Sequence, residues 1–166
     1  MSPTINFAQT TDPTTPYEHR DGTFLISTDQ ALLDMDFIHA ELTASYWAGG
    51  IPRALVETSV RHSLCFGLYQ TETGAPRQVG FARLITDYAS YGRLCDVVVT
   101  RALRGHGLGK LLTAGLMAHP VVAQLRRITL STKDAHGLYK KFGFTPLDDV
   151  NRHMQINRKA LYKTPQ

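Results

Sequence analysis

The sequence predicts an α/β (α+β) fold: a mixed, mostly antiparallel central sheet of six to seven strands flanked by about four helices. The first observation is a series of short apolar runs separated by turn residues, a pattern typical of antiparallel neighbours. These runs are Phe24–Ile26, Cys65–Tyr69, Val79–Ile85 and Leu94–Val99. The second is a change of period, because Leu108, Leu112 and Leu116 recur at helical spacing directly behind a glycine-rich turn. A strand that enters a helix in this way favours a mixed sheet.

Two helices are predicted between the first two strands. The first begins in the polar stretch of residues 27–30, which offers side chains suited to a helix N-cap. Its apolar face is formed by Leu33, Phe37 and Ala40. A second helix follows the break at residues 49–52, and its buried side is formed by Val56, Val60 and Leu64. Near the end of the chain we expect a strand at Ile128–Ser131, a helix at Ala135–Phe142 and the last strands between Phe144 and Ile156.

Length and composition indicate one domain. With 166 residues, 43% of them hydrophobic and 19% charged, the chain can form a single packed core. Residues 1–22 are rich in Thr, Pro and Asp and are expected to form a flexible tail or an arm along a sheet edge. We therefore predict a single folded domain at residues 23–166.

The charge pattern limits the classes of partner. The formal net charge of +4 suits an anionic small ligand, and the basic residues form no run that would indicate nucleic-acid binding. No apolar segment is long enough for a membrane span, so a cytoplasmic location is expected. Cys65 and Cys95 lie in apolar stretches without metal-ligand spacing, which favours reduced cysteines and no metal site.

One loop carries the clearest chemical signal. The segment Arg104-Gly105-His106-Gly107-Leu108-Gly109-Lys110 follows a valine-rich strand and opens a helix. A helix start presents unpaired N–H groups at the positive end of its dipole, and glycines let an anion approach them. The spacing fits neither a dinucleotide fingerprint nor a P-loop. The alternative to a phosphate cradle is a tight turn that binds nothing.

The remaining pattern, R-x-x-G-x-G/A at residues 104–109, resembles the pyrophosphate-binding signature of the GCN5-related N-acetyltransferase (GNAT) superfamily. The preceding valine strand and the downstream segment Leu138–Phe144 are in the order of that family, and the resemblance covers residues 24 to about 157. It implies a GNAT-like fold and acetyl-CoA as co-substrate. It also implies that Arg104, Gly105, His106, Gly107, Leu108, Gly109 and Lys110 hold the pyrophosphate, and that Val97, Val98 and Val99 offer main-chain hydrogen bonds to the pantetheine arm. For His106 the backbone is expected to matter, with the ring in solvent.

The resemblance places Tyr139 near the cofactor sulfur, where a phenol can protonate the departing thiolate. The alternative is an aromatic ring that only packs under the sheet. Many relatives carry an Asn seven residues before this Tyr, in contact with the cofactor, whereas this chain has Thr132. That contact is therefore lost or made differently.

An amine acceptor must lose a proton before it attacks a thioester, so a base is required. Asp96 is the first candidate because it stands among apolar residues, which would raise its pKa. The alternative is a carboxylate paired with a neighbouring strand or an arginine. Glu41, Asp87 and His62 are weaker candidates.

Tyr46, Trp47 and Arg53 surround the break between the first two helices, a region that borders the acceptor pocket in relatives. They are predicted to bind the acceptor, although Trp47 could equally be a core residue. The resulting hypothesis is an N-acetyltransferase that moves an acetyl group to a small-molecule or peptide amine by direct attack, with a homodimer expected from relatives. The alternative is a non-catalytic module that binds acyl-CoA.

Overall fold

The computed structural model of the chain describes residues 15–72, 74–158 and 160–162. Its centre is a six-stranded sheet in which every strand lies beside its sequence neighbour. The strands are β1 Glu18–Asp21, β2 Phe24–Ser27, β3 Leu64–Gln70, β4 Arg77–Thr86, β5 Tyr91–Val99 and β6 Arg127–Thr129. The pairings from β1 to β5 are antiparallel, and β5 and β6 run parallel. The predicted mixed, mostly antiparallel sheet is confirmed.

Helices cover both faces of this sheet. The described residues contain five α-helices, which are α1 Met35–Thr43, α2 Arg53–Arg61, α3 Leu108–Met117, α4 Pro120–Gln124 and α5 His136–Lys140. Side chains of α1 and α2 pack with Phe81 and Val98 on one face, and side chains of α3, α4 and α5 pack with Phe66 and Leu84 on the other. The one helix that the sequence did not predict is α4, whose five residues are too few to show a helical period.

The first helix starts later than predicted. Asp29 caps only a short 3-10 turn at Gln30–Leu32, and Asp34 caps α1 by accepting hydrogen bonds from the amides of Asp36 and Phe37. The buried side chains of α1 are Ile38 and Leu42, whereas Ala40 is exposed and Leu33 and Phe37 are half-buried. The prediction was therefore wrong for Ala40, whereas Leu33 and Phe37 do pack against the core beside Ile38 and Leu42. In α2 the predicted Val56 and Val60 are buried, but Leu64 belongs to β3.

The chain before residue 23 contributes to the sheet. Residues 18–21 form β1, which pairs with β2 across a turn at Gly22, where φ is +56°. The boundary predicted at residue 22 cuts through this hairpin, so the predicted tail was wrong for residues 18–21 and the alternative of an arm along the sheet edge fits them. Residues 1–14 lie outside the described part of the chain.

The last strands predicted between Phe144 and Ile156 are not found. In that segment a 3-10 turn lies at Val150–Arg152, and residues 153–158 form neither helix nor strand. Met154 and Ile156 are 97% and 82% exposed. Their period-two pattern is that of a strand, but a strand also needs a neighbour to pair with and a surface to cover.

The parallel pair at the sheet edge leaves a gap. β5 and β6 pair only where Tyr91–Arg93 face Arg127–Thr129. Beyond these residues the two strands separate. The rest of β5 has no strand partner on the side of β6. The candidate site lies in the gap between them.

Of the helices in the described ranges, none has the length and apolar character needed to cross a membrane.

Candidate active site

A cavity of about 430 Å³ lies in the gap between β5 and the segment that follows β6. Its floor is formed by β5 from Arg93 to Val97, and one wall is formed by residues 130–135 and Tyr139. Tyr46, Trp47 and Arg83 complete the lining. The site is therefore assembled from segments that are far apart in sequence and that meet around β5.

Asp96 lines this cavity and has an unusual backbone conformation. Its φ is +56°, in the left-handed region that non-glycine residues rarely adopt, and the register between β4 and β5 shifts at this point. The bulge directs the carboxylate across the sheet face. One oxygen accepts a hydrogen bond from the Trp47 indole nitrogen at 3.2 Å, and the other accepts from Nε of Arg83 at 2.8 Å.

The surroundings of Asp96 are not apolar, which corrects the reason given for its choice as a base. Its ion pair with Arg83 is mostly buried, since the two side chains are 11% and 14% exposed. The alternative of a carboxylate paired with an arginine is therefore the one observed. The guanidinium is fixed in turn by Ser63, whose Oγ accepts from Arg83 at 3.1 Å and donates to the Ser59 carbonyl oxygen at 2.7 Å.

Sequence reasoning did not identify Arg83 and Ser63. A signal for Arg83 was present, because it is a charge inside the apolar run of β4 and such a charge needs a buried partner. Ser63 carried no comparable signal, since serines are common just after a helix. The two residues act through Asp96 and position its carboxylate.

Tyr139 lies on α5 and faces the cavity. The residue is only 7% exposed, and its ring contacts that of Phe144 edge-on at 5.7 Å between centroids. Burial, with a smaller contribution from Tyr46, raises the pKa of Tyr139 to about 12. The phenol is therefore protonated at neutral pH and can donate its proton. The ring packs in the core and also lines the cavity, so the two interpretations of this residue are compatible.

Aromatic side chains form the mouth of the cavity. Tyr46 and Trp47 are exposed and contact each other edge-on at 4.8 Å between ring centroids. The Tyr46 hydroxyl accepts a hydrogen bond from the amide of Lys133 at 3.1 Å, which ties the mouth to the segment after β6. Trp47 is not a core residue, because its ring is half exposed and its nitrogen bonds to Asp96.

Arg53 does not belong to this site, which corrects its predicted role. It stands at the start of α2, where its guanidinium pairs with Asp36 and Glu57 on the protein surface. It is near Trp47 in sequence, but it does not line the cavity. The weaker base candidates Glu41, Asp87 and His62 do not line the cavity either.

Two of those candidates have other partners. Glu41 pairs with Arg104 at 3.4 Å. Asp87 accepts hydrogen bonds from Ser90 and from the amides of the turn between β4 and β5, which hold the pKa of its carboxyl far below the usual range. A carboxylate so strongly stabilised in its ionised form is a poor base at neutral pH.

The glycine loop follows the carboxyl end of β5 after a 3-10 turn at Arg101–Leu103. Gly105 and Gly107 have φ of +82° and +80°, and a Cβ at either would meet nothing within 4 Å, so the surface above the loop is open. Gly107 caps α3 without any side-chain hydrogen bond. The first helical bond runs from the amide of Leu111 to the carbonyl of Gly107, so the amides of residues 108–110 have no partner within the helix.

Side chains of the loop fold back onto its own backbone. Arg104 donates from Nε to the Val99 carbonyl at 3.0 Å, and Nδ1 of His106 lies 3.0 Å from the Arg104 carbonyl oxygen. Lys110 is exposed in the first turn of α3. These contacts leave the amides of residues 108–110 unobstructed and place basic side chains beside them. The loop therefore fits a diphosphate, because both the donors and the charge favour an anion.

Two further residues, Thr132 and Cys95, line the cavity. Thr132, at the position where many relatives carry Asn, accepts a hydrogen bond from the amide of Ala135 at 3.0 Å and lines the cavity. Cys95 lines the floor, and burial raises the pKa of its thiol. Within the described ranges no three His, Cys, Asp or Glu side chains come together as a metal site.

Comparisons with known proteins agree with this geometry. The family model of the acetyltransferase (GNAT) domain matches residues 61–146. A protein of Gibberella zeae named "Putative acetyltransferase FG08082" is 34% identical over 148 residues, which cover 77% of this chain and 82% of that protein. The crystal structure of XCC2953 from Xanthomonas campestris, described as belonging to the GNAT family, is 45% identical with a TM-score of 0.79, covering 85% of this chain and 97% of that one.

A more distant structure shares the fold alone. SA2161 of Staphylococcus aureus is 22% identical with a TM-score of 0.65, and the match covers 81% of this chain and 98% of that one. The family match spans the strand, the glycine loop and α5, the elements on which the resemblance in the sequence was based. The chain belongs to the GNAT family of acetyltransferases.

Proposed function

We propose that the protein transfers an acetyl group from acetyl-CoA to a primary amine by direct attack in a ternary complex. The observation that carries this proposal is the position of two features on one strand. β5 has an open glycine loop at its carboxyl end and passes through a cavity with a carboxylate and a phenol. One elongated ligand can therefore extend from the loop into the cavity.

The loop half of the site holds the cofactor. In this proposal residues 104–110 bind the pyrophosphate through their amides, and the backbone of Val97, Val98 and Val99 together with Thr132 binds the pantetheine arm. Acetyl-CoA supplies the activated thioester when bound. The amides of β5 on the side of the gap have no strand partner beyond Arg93, so they are free to bind an extended ligand.

The cavity half carries out the proton transfers. An amine is mostly protonated at neutral pH, so its attack requires a group that takes the proton. Asp96 receives it, directly or through a water molecule, because each carboxylate oxygen keeps acceptor capacity beyond its bond to Trp47 or Arg83. The nitrogen forms the new bond to the acetyl carbon as the carbon–sulfur bond breaks. Tyr139 gives its proton to the departing sulfur, and the resulting phenolate takes up the second proton, which the acetylated nitrogen loses.

A covalent enzyme intermediate is not part of the proposal. Cys95 is the cysteine that lines the cavity, and burial raises the pKa of its thiol. A thiolate, not a thiol, is the nucleophile in acyl transfer, so the buried thiol is a poor competitor for the acetyl group. Direct attack by the amine needs no such residue.

The experiment is a thiol-release assay with acetyl-CoA and a panel of primary amines, with the product identified by mass. Tyr139→Phe keeps the packed ring and removes only the hydroxyl, so we expect an unchanged melting temperature, unchanged binding of coenzyme A and a kcat reduced by about 100-fold. Tyr91→Phe, outside the cavity, is the matched control. Binding of acetyl-CoA without product from any amine would instead indicate the non-catalytic module.

A further inference from the structure

Two cations in the cavity have no acidic partner. Arg83 is neutralised by Asp96, but Arg93 and Lys133 form no ion pair with any residue that the structure describes. Asp134 also lines the cavity and is exposed to solvent. With three cations and two carboxylates in the lining, the cavity keeps one positive charge in excess.

The two cations come from different segments of the cavity lining. Arg93 is on β5 and donates to Ser131 Oγ at 3.2 Å. Lys133 follows β6, and its Nζ lies 5.9 Å from the centroid of the Tyr46 ring. Neither contact neutralises a charge, so both charges remain available to an anionic ligand.

The position of Arg93 along β5 assigns it to the acceptor and not to the cofactor. The glycine loop follows Val99, Asp96 lies in the middle of the strand, and Arg93 is three residues further from the loop, roughly 10 Å along the strand. A cofactor that enters from the loop reaches Asp96 first. The space beside Arg93 is therefore left for the other substrate.

We infer that the acceptor is a primary amine that also carries an anionic group, bound by Arg93 with support from Lys133 while its amine lies beside Asp96. A guanidinium presents a planar fork of donors that matches a carboxylate or a phosphate. The inference rests on the proposed function and names the substrate class of the same site.

The test compares two matched pairs of acceptors, phenylalanine with phenylalaninamide and phosphoethanolamine with ethanolamine. We expect the anionic member of at least one pair to have a kcat/KM at least about 10-fold higher, and the pair with the larger ratio identifies a carboxylate or a phosphate as the anion. Arg93→Met should reduce that ratio to near one, mainly through the KM of the acceptor. The KM of acetyl-CoA should stay unchanged.

Arg77→Met is the matched control. Arg77 is also an exposed strand arginine with one side-chain hydrogen bond, to Gln70, and it lies outside the cavity. It should leave the ratio unchanged. Arg93→Lys keeps the charge without the fork and should give an intermediate ratio, which retains the test if Arg93→Met folds poorly.

Three results would overturn the inference. If the neutral amines are acetylated as well as the anionic ones, the substrate class is wrong while the acetyltransferase itself stands. If Arg93→Met slows both members of each pair equally, Arg93 has only a structural role. If no amine of a broad panel yields product, the proposed function fails and the inference fails with it.

Discussion

The two ends of β5 are built in different ways. At its carboxyl end the chain enters the glycine loop, whose open groups are main-chain amides from one continuous stretch of sequence. Toward its middle and start the strand lies under side chains from several segments, among them Trp47, Arg83 and Lys133. A backbone site is sensitive mainly to changes of conformation, whereas a side-chain site is sensitive to changes of charge and shape. The end that binds the cofactor is therefore expected to depend little on side-chain identity, whereas the other end selects the acceptor.

The strongest test of the side-chain end is Asp96→Asn. Asn tolerates the left-handed backbone at this position, so the bulge should be preserved. The amide cannot take up a proton, and we expect kcat to fall by about 10²- to 10⁴-fold with little change in the KM of acetyl-CoA. Steady-state kinetics below the melting temperature measure both values.

Asp87→Asn is its control, because Asp87 stabilises a turn outside the cavity. It should lower stability and leave kcat unchanged. A kcat for Asp96→Asn within about threefold of the unmodified protein would mean that another group takes the proton.

The stability of the fold should depend on pH through His119, which lies at neither end of β5. His119 lies beyond the far end of α3, where burial lowers its pKa to about 4 from an ordinary value of 6.5. Between these two values the unfolded chain binds the proton and the folded protein does not, so stability falls as the pH drops from 6.5 to 4. The loss is at most about 3 kcal/mol. Denaturant unfolding at several pH values measures it.

His119→Asn should flatten this acid decline. Nδ1 of His119 accepts a hydrogen bond from the amide of Val121 at the start of α4, and an Asn can form the same cap without titrating. His62→Asn, at an exposed histidine, should leave the decline as it was. An unchanged slope for His119→Asn would show that other groups cause the acid sensitivity.

The smallest effect is expected for a substitution in the glycine loop, the backbone end of the site. Gly107→Ala places a methyl group over the loop and forces a left-handed alanine, while Gly74→Ala introduces the same strain at φ +83° far from the site. Both variants should lose about 1 kcal/mol of stability. Only Gly107→Ala should also raise the KM of acetyl-CoA, by about 10-fold. Equal KM values for the two variants would contradict a role of the loop in binding.

The sequence was most informative where the structure is local. The glycine loop and α3 could be predicted because a helix start, its glycines and its apolar period are contiguous. The contacts around Asp96 could not, since Arg83 and Ser63 lie 13 and 33 residues away and are brought together only by sheet pairing and the end of α2. The position of the bulge likewise depends on how β4 pairs with β5.

Two wrong predictions have related causes. Arg53 was assigned to the site because it is near Trp47 in sequence, but the turn of α2 directs it to Asp36 and Glu57. The strand near Met154 was predicted from the local sequence, and a local sequence does not supply a partner strand. The single-domain organisation, the homodimer, the cytoplasmic location and the absence of nucleic-acid and membrane partners stay predictions.

The central claim is that main-chain amides after β5 bind the diphosphate of the cofactor. The most direct measurement is a titration of the ¹⁵N-labelled protein with coenzyme A, followed by amide resonances. We predict that the largest shifts occur at residues 105–110 and saturate together with those of Val97, Val98 and Val99. Loop amides that stay in place while coenzyme A binds elsewhere, or the absence of binding, would contradict the claim.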